Sequence, residues 1–287
     1  MNPLISVIVP TYNRPQLLKK ALISILSQTF CDYEIIVVND GGTPINEILN
    51  SIGFSNRITI INHFKNLGIS TARNTGIKLS KGKYIAYLDD DDIYYPNHLE
   101  TLVNCLENSE YKVAYSDACM ISQVHTNANT VKISKSFPYS FDFSKDKILV
   151  HNISPTLCFM HNKACFSDTG FFNENLFANE DWDLWIRLSR NYDFKHIKKV
   201  TAEFRRDISE KTITTTQSKE FYDSMKIIFN NTQQYTKNKP LIRTAQKLQL
   251  ICMKDAINKS YMRSKYNYSV GILPAKLLLY ILKKTIH

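Results

Sequence analysis

The chain has 287 residues, 44% of them hydrophobic and 22% charged, a balance that builds a packed core and excludes a disordered chain. Lys and Arg outnumber Asp and Glu by 36 to 26, and the resulting +10 points to anionic partners: nucleic acid, an anionic membrane surface or anionic substrates. No run of about 18 apolar residues occurs, so no transmembrane helix is expected. Met1 leads straight into a strand, so no secretory signal is expected either. The six cysteines show no CxxC or Cys/His spacing, as for buried thiols in a reducing compartment.

Leu4 to Val9 is apolar and β-branched on both faces, the pattern of a strand buried in a parallel sheet. Pro10-Thr11-Tyr12-Asn13-Arg14-Pro15 breaks it, and Leu18, Leu22 and Leu26 then recur at helical spacing. Glu34 to Val38 reads as a second buried strand ended by Asn39-Asp40-Gly41-Gly42, Ile45 to Ile52 as a short helix, and Ile58 to Ile61 as a third strand. Ser70 to Leu79 reads as a helix, Tyr84 to Leu88 as a buried strand, and a helix follows with Leu99, Leu102, Val103 and Leu106 on one face. Strands alternating with helices predict an α/β fold with a mostly parallel sheet.

Val113 to Ser116 is a fifth strand, but from Asp117 to about Phe143 no period is clear, and the stretch reads as loops or edge hairpins. Thr156 to Met160 predicts another strand, Gly170 to Asn173 a turn, Asp181 to Arg190 a helix and Phe194 to Val200 a strand. Beyond about residue 210, helical spacing predicts two or three helices. The last, Leu273 to Lys284, is apolar with basic ends.

The buried strand Tyr84 to Leu88 ends in four carboxylates, Asp89, Asp90, Asp91 and Asp92. Adjacent anions repel and need a compensating cation. At the end of a parallel strand they stand where open α/β sheets bind ligands, and hard oxygen ligands suit Mg²⁺ or Mn²⁺. The plainer reading is a solvated acidic turn capping the next helix.

Five segments in this order, SVIVPTYNR, VVND, NLGISTARNTGI, YLDDDD and GFFNENLFANEDWDLWIRL, resemble the inverting GT-A glycosyltransferases of family 2 over roughly Leu4 to Arg206. The resemblance implies a GT-A catalytic domain over 1–210, with a nucleotide-binding half 1–117 and an acceptor half 118–210, and a helical C-terminal extension over 211–287. It implies a UDP-sugar donor, a saccharide acceptor and a divalent metal, Mn²⁺ or Mg²⁺. Pro10, Thr11, Tyr12 and Arg14 match the first nucleotide-binding loop, Asp40 the carboxylate that meets the uracil ring, and Arg73 a basic residue near the nucleotide. The metal-binding DxD fits as Asp89-x-Asp91 or Asp90-x-Asp92. The first register is the better, with Asp91 the direct ligand and Asp89 and Asp90 serving the ribose and the metal's waters.

Asp181 matches the catalytic carboxylate that takes the acceptor proton, with Glu180 as alternate or acceptor-orienting group. Both also suit a helix first turn, where the dipole would lower a carboxylate pKa. Trp182 and Trp185 share a face, either packed in the core or with one offering a platform to a sugar. Where many relatives carry a His after the next strand, Phe204-Arg205-Arg206-Asp207 has none. Either Asp207 substitutes, or Arg205 and Arg206 hold the diphosphate. His151, His161 and His196 read as structural.

The C-terminal helix suggests peripheral contact with the cytoplasmic face of the cell membrane beside a lipid-linked acceptor such as O-antigen or capsule, or packing on protein, including in an oligomer. A nucleotidyltransferase would show a glycine-rich first loop, which PTYNRP lacks. The remaining alternative is a non-catalytic nucleotide-sugar-binding scaffold. No nucleic-acid motif occurs.

Overall fold

The computed structural model describes residues 2–53, 56–125, 130–207 and 218–266. Its centre is strand β1 (Ile5–Thr11), every residue of which is buried. Strand β2 (Tyr33–Asn39) pairs with it in parallel on one side and β4 (Tyr84–Tyr87) on the other, while β3 (Ile58–Asn62) extends the parallel set beyond β2. Both faces of these strands are covered, which is why their sequences are apolar runs rather than alternations. Helices α1 (Pro15–Leu26), α2 (Asn46–Ser51) and α3 (Ile69–Leu79) make the crossovers.

Pro10 lies inside β1 without costing a ladder bond. The carbonyl of Thr11 turns to β2, accepting from Asp40 N–H, and that of Ile8 turns to β4, accepting from Leu88 N–H. By alternation Pro10 faces the β4 side, where pairing ends at Ile8–Tyr87, so its missing N–H falls at the end of that ladder and leaves the pairing with β2 intact.

After the two-residue β5 (Ile93–Tyr94) and α4 (His98–Glu107) come β6 (Val113–His125), β7 (Thr130–Tyr139) and β8 (Phe159–Asn162). A short helix α5 (Phe166–Thr169) and α6 (Glu180–Asn191) lead to β9 (Phe194–Asp207). The sheet order is β3-β2-β1-β4-β8-β6-β9-β5, with β7 paired to β6 alone. Strand β8 is antiparallel to both β4 and β6, whereas β9 runs parallel to β6.

Most sequence expectations hold to within a residue or two, and two differ. The aperiodic stretch from Asp117, read as loops or edge hairpins, is the latter, a long β6–β7 hairpin whose register shifts twice, which destroys the period-two pattern. Thr156 to Cys158 is a 3₁₀ turn, and only Phe159 onward is strand. The strand at Phe194 runs on to Asp207. The C-terminal region begins with α7 (Ser218–Asn231), α8 (Gln233–Thr236) and α9 (Pro240–Tyr266). The expected helix over Leu273 to Lys284 lies outside the described residues.

Helix α3 packs flat on β1 and β2 because residue 76 is glycine: a Cβ there would stand 2.8 Å from Ile8 Cγ2 and 3.3 Å from Val38 Cγ2. Alanine would gain about 1 kcal/mol of helix propensity, but overpacking against β-branched core residues costs about 1–3 kcal/mol. Gly76→Ala is therefore expected to lower the unfolding free energy by about 1 kcal/mol in urea titration.

Candidate active site

Because β1, β2 and β4 are parallel, their C-terminal ends open on one edge of the sheet. Thr11, Asp40 and the four aspartates gather there, in the crevice where α/β sheets take ligands. Thr11 joins them: its carbonyl accepts from Asp40 N–H at 2.9 Å, and its hydroxyl donates to Asp90 Oδ2 at 2.7 Å. Asn13, in the left-handed region at φ 56°, accepts from Thr43 N–H and ties the loop after β1 to the loop after β2. Tyr12 between them is 45% exposed, a ring free to meet a ligand.

The four aspartates fold into a tight turn, Asp92 N–H to Asp89 carbonyl at 3.1 Å, and their carboxylates are held from different sides, with Arg14 shared between two of them. Asp89 takes both oxygens to Arg73 Nη2, at 2.7 and 3.0 Å. Buried Asp90 has Thr11 and, at 3.4 Å, Arg14. Asp91 is the outermost of the three for which a side-chain ion pair is seen, 35% exposed and 3.0 Å from Arg14 Nη1. Buried Asp92 accepts from the main-chain N–H of Arg205 at 2.8 Å. Burial and Asp91 push Asp90 up to about 7, against Thr11 and Arg14, and burial and neighbouring carboxylates raise Asp91 and Asp92 as well. The turn holds more negative charge than its partners balance.

Asp40, expected to meet a base, is only 4% exposed. Its oxygens accept from Leu67 N–H (3.0 and 3.1 Å) and Gly68 N–H (2.8 Å), and Oδ1 lies 2.6 Å from His63 Nδ1. Gly41, at φ 72°, lets the loop come this close: a Cβ there would stand 2.2 Å from the Lys65 carbonyl carbon. Asp40 thus shapes one wall of the crevice by holding the 63–68 loop.

Arg73 departs furthest from expectation. It is 1% exposed, not at the crevice surface. One guanidinium nitrogen holds Asp89, and the other holds Glu180 Oε1 at 2.5 Å. Burial alone would lower its pKa, but Asp89 and Glu180 more than offset this and raise it. Two sequence motifs meet here. Asn74, next along α3, donates to the Phe172 carbonyl at 2.9 Å and accepts from Phe172 N–H at 3.0 Å, clipping the turn before α6 to the helix that carries Arg73.

Asp181 follows Glu180 at the start of α6, after Asn179 in the left-handed region at φ 60°. It makes no ion pair among the described residues. Its Oδ2 accepts from Asn152 Nδ2 at 2.9 Å and Thr156 Oγ1 at 3.0 Å, and its Oδ1 from Trp182 N–H at 2.7 Å. Burial and Glu180 push its pKa up to about 6, against Arg73, Trp182 and Thr156. The lowering expected from the helix dipole is outweighed.

The tryptophans are core residues, which removes the sugar-platform expectation: Trp182 is 3% and Trp185 0% exposed. Trp182 donates to the Ile148 carbonyl, and Trp185 stacks on Phe159 with ring centres 4.0 Å apart. Arg205 reaches the acidic turn through its backbone, while its guanidinium pairs with Glu203 at 2.9 Å. The side chains of Arg206 and Asp207 lie outside those described. His161 is buried against Tyr87, His196 lies between Asp117 and Asp142, and Phe141 meets His151 edge to face. Sequence reading missed Asn152 and Thr156. Asn152 was visible only as part of an Asn-x-Ser triplet.

A parallel sheet ending in an acidic turn, faced across a buried arginine by an acidic helix start, defines a glycosyltransferase of the GT-A class. Staphylococcus aureus TarS 1-349, solved with UDP-GlcNAc, superposes with a TM-score of 0.67 at 18% identity, covering 98% of this chain and 79% of that one. The mannosyltransferase PcManGT of Pyrobaculum calidifontis, solved with GDP-Man and Mn²⁺, superposes at 0.63 and 14% identity with the same coverage. The chain belongs to glycosyl transferase family 2, whose sequence profile matches residues 6–166. An uncharacterized glycosyltransferase of Rickettsia prowazekii, RP339, is 30% identical over 232 residues, 78% of this chain and 70% of that protein.

Removing the charge of Arg73 would leave Asp89 and Glu180 facing each other without a cation. Arg73→Met is expected to destabilise the fold by about 3–5 kcal/mol in urea unfolding, the cost of breaking one side of a buried pair. Arg73→Lys should recover only part of it, because an ammonium cannot reproduce the planar fork.

Proposed function

We propose that the chain is an inverting glycosyltransferase that moves one sugar from a UDP-sugar to a saccharide acceptor. The observation that carries this reading is the contrast between the two carboxylates opening α6. Glu180 is neutralised by Arg73, whereas Asp181 has only neutral donors and an elevated proton affinity. A carboxylate in that state is a general base, and one standing beside the acidic turn is suited to a single displacement.

In this reading Tyr12 stacks on the base, the Asp40 loop frames it, and Pro10 and Thr11 set the path of the strand end beneath it. The all-oxygen donor set of the turn and its excess negative charge fit a divalent cation. Such an ion would take one or two of these carboxylates and complete its shell with substrate phosphates and water. Asp91 is the ligand we assign, with Asp89 and Asp90 toward the ribose and the ion's waters. Arg14, 46% exposed at its side chain and 3.0 Å from Asp91, stands on the side from which the diphosphate would approach in this reading. When bound, Mn²⁺ or Mg²⁺ supplies Lewis-acid neutralisation of the departing diphosphate.

Asp181 takes the proton of the acceptor hydroxyl as its oxygen attacks the anomeric carbon opposite the leaving group. The bond from that carbon to the diphosphate oxygen breaks, UDP leaves with the electron pair, and the configuration inverts. Glu180, locked to Arg73, holds the base's helix start against the donor side. The acceptor we favour is a growing surface glycan, lipid-linked at the cytoplasmic face of the membrane. The chain's basic balance supports this, and no helix among the described residues is long and apolar enough to cross a bilayer.

The experiment is nucleotide release from UDP-glucose, UDP-galactose, UDP-N-acetylglucosamine, UDP-N-acetylgalactosamine and GDP-mannose, with Mn²⁺ and with a chelator. Release from one UDP-sugar is expected, abolished by chelation and by Asp91→Asn. Asp181→Asn should cut turnover about 10²–10⁴-fold while UDP binding persists. Full turnover in that variant would sink the assignment.

The pH profile gives a second check. The base works only when ionised, so kcat/KM should fall as pH drops through about 6 and level off above it. A profile flat from about pH 5 to about pH 7, roughly one unit either side of that value, would count against Asp181 as base.

A further inference from the structure

The segment between β7 and β8 meets the reaction centre through two side chains that neither motif nor periodicity marks, Asn152 and Thr156. We infer that Asn152 and Thr156 are positioning residues for Asp181, fixing its carboxylate so that Oδ1 is the oxygen that takes the acceptor's proton. The inference rests on the reading of Asp181 as base.

The argument is a count of lone pairs. A carboxylate offers about four in-plane acceptor positions, two on each oxygen. Both positions on Oδ2 are filled, by Asn152 Nδ2 at 2.9 Å and Thr156 Oγ1 at 3.0 Å. One on Oδ1 is filled by Trp182 N–H at 2.7 Å. The remaining position lies on Oδ1.

The supports are themselves anchored. Thr156 is 6% exposed and opens the 3₁₀ turn closed by Cys158 N–H to the Pro155 carbonyl. Buried Ser154 donates to the Ser116 carbonyl of β6 at 3.4 Å, and Gln249 Nε2 donates to the Val150 carbonyl at 2.6 Å. Asn152 carries a cost that packing alone would not retain: its Oδ1 is sealed from solvent with no hydrogen-bond partner among the described residues. Turning the amide to satisfy that atom elsewhere would set oxygen against the Asp181 carboxylate.

The charged groups facing Asp181 are Glu180, beside it on α6, and Arg73, from α3. Asn152 and Thr156 are neutral, so they act by hydrogen bonding to the ionised form, which favours that form. Their loss therefore has a signature that loss of packing would not give: protonation of Asp181 moves to higher pH.

The test titrates the carboxyl carbon of Asp181 by ¹³C NMR in the full chain, its resonance identified by its absence in Asp181→Asn. Thr156→Val and Asn152→Leu are each expected to raise the midpoint by about half to one pH unit, and Thr156→Ser to restore it. Hydrolysis of UDP-N-acetylglucosamine with Mn²⁺, followed in parallel, should lose about 10-fold in kcat at neutral pH with KM unchanged. Unmoved midpoints in both variants, with thermal unfolding like the parent, would overturn the positioning role. The titration needs no turnover, so it separates the two ideas. If Asp181→Asn keeps full hydrolysis, the base assignment falls and the choice of Oδ1 falls with it. If Asp181→Asn is dead but the midpoints do not move, only the positioning role falls.

Discussion

Everything at the reaction edge is referred to one buried cation. The Arg73 guanidinium is planar and presents its donors in a fixed fork, so a single side chain holds Asp89 of the acidic turn and Glu180 of the facing helix at a set separation. Burying that charge is costly, and its two carboxylates offset the cost only because the geometry is short and direct on both sides. Among the described residues its Nε has no hydrogen-bond partner, a further cost of the burial. The gain is register. Asp89 belongs to the end of β4 and Glu180 to the start of α6, elements 91 residues apart in sequence (180 − 89).

The acidic turn shows how four adjacent anions are accommodated. Each is given a different cation or donor, from four different places: α3, the end of β1, the loop before α1 and the backbone of β9. Asp92 is spent on structure, since its bond to Arg205 N–H fixes the end of β9 beside the turn. Asp91 alone combines solvent access with a partner that is itself exposed. Charge left over after this division makes the turn a place where a cation is welcome.

The sheet and the motif order were legible because buried parallel strands write themselves as apolar runs, and the turns between them carry Gly, Asn and Asp. Asn74 and Phe172 show why two distant motifs belong together: one side-chain amide bonds both polar groups of the other's backbone. What sequence concealed was depth. Arg73 in a polar helix, expected near the nucleotide, and Trp182, left open between core and sugar platform, are both interior. The register shifts of the β6–β7 hairpin left loop and hairpin undecided in the sequence, and nothing in the sequence pattern tied Asn152 to Asp181. Those positions are defined by contacts across the fold, which a linear pattern does not encode.

The C-terminal helices are joined to this machinery rather than appended to it. Gln246 and Gln249 of α9 are buried and donate to the carbonyls of Leu149 and Val150, the residues that lead into Asn152. Phe229 of α7 meets Trp182 edge to face, on the residue after Asp181. Recombination between relatives is thereby constrained. A hybrid spliced between β9 and α7 would pair one parent's Asp181 with the other parent's footing for it. Exchanging acceptor preference by swapping tails would succeed only where those two glutamines and that phenylalanine travel as a matched set with residues 147–158.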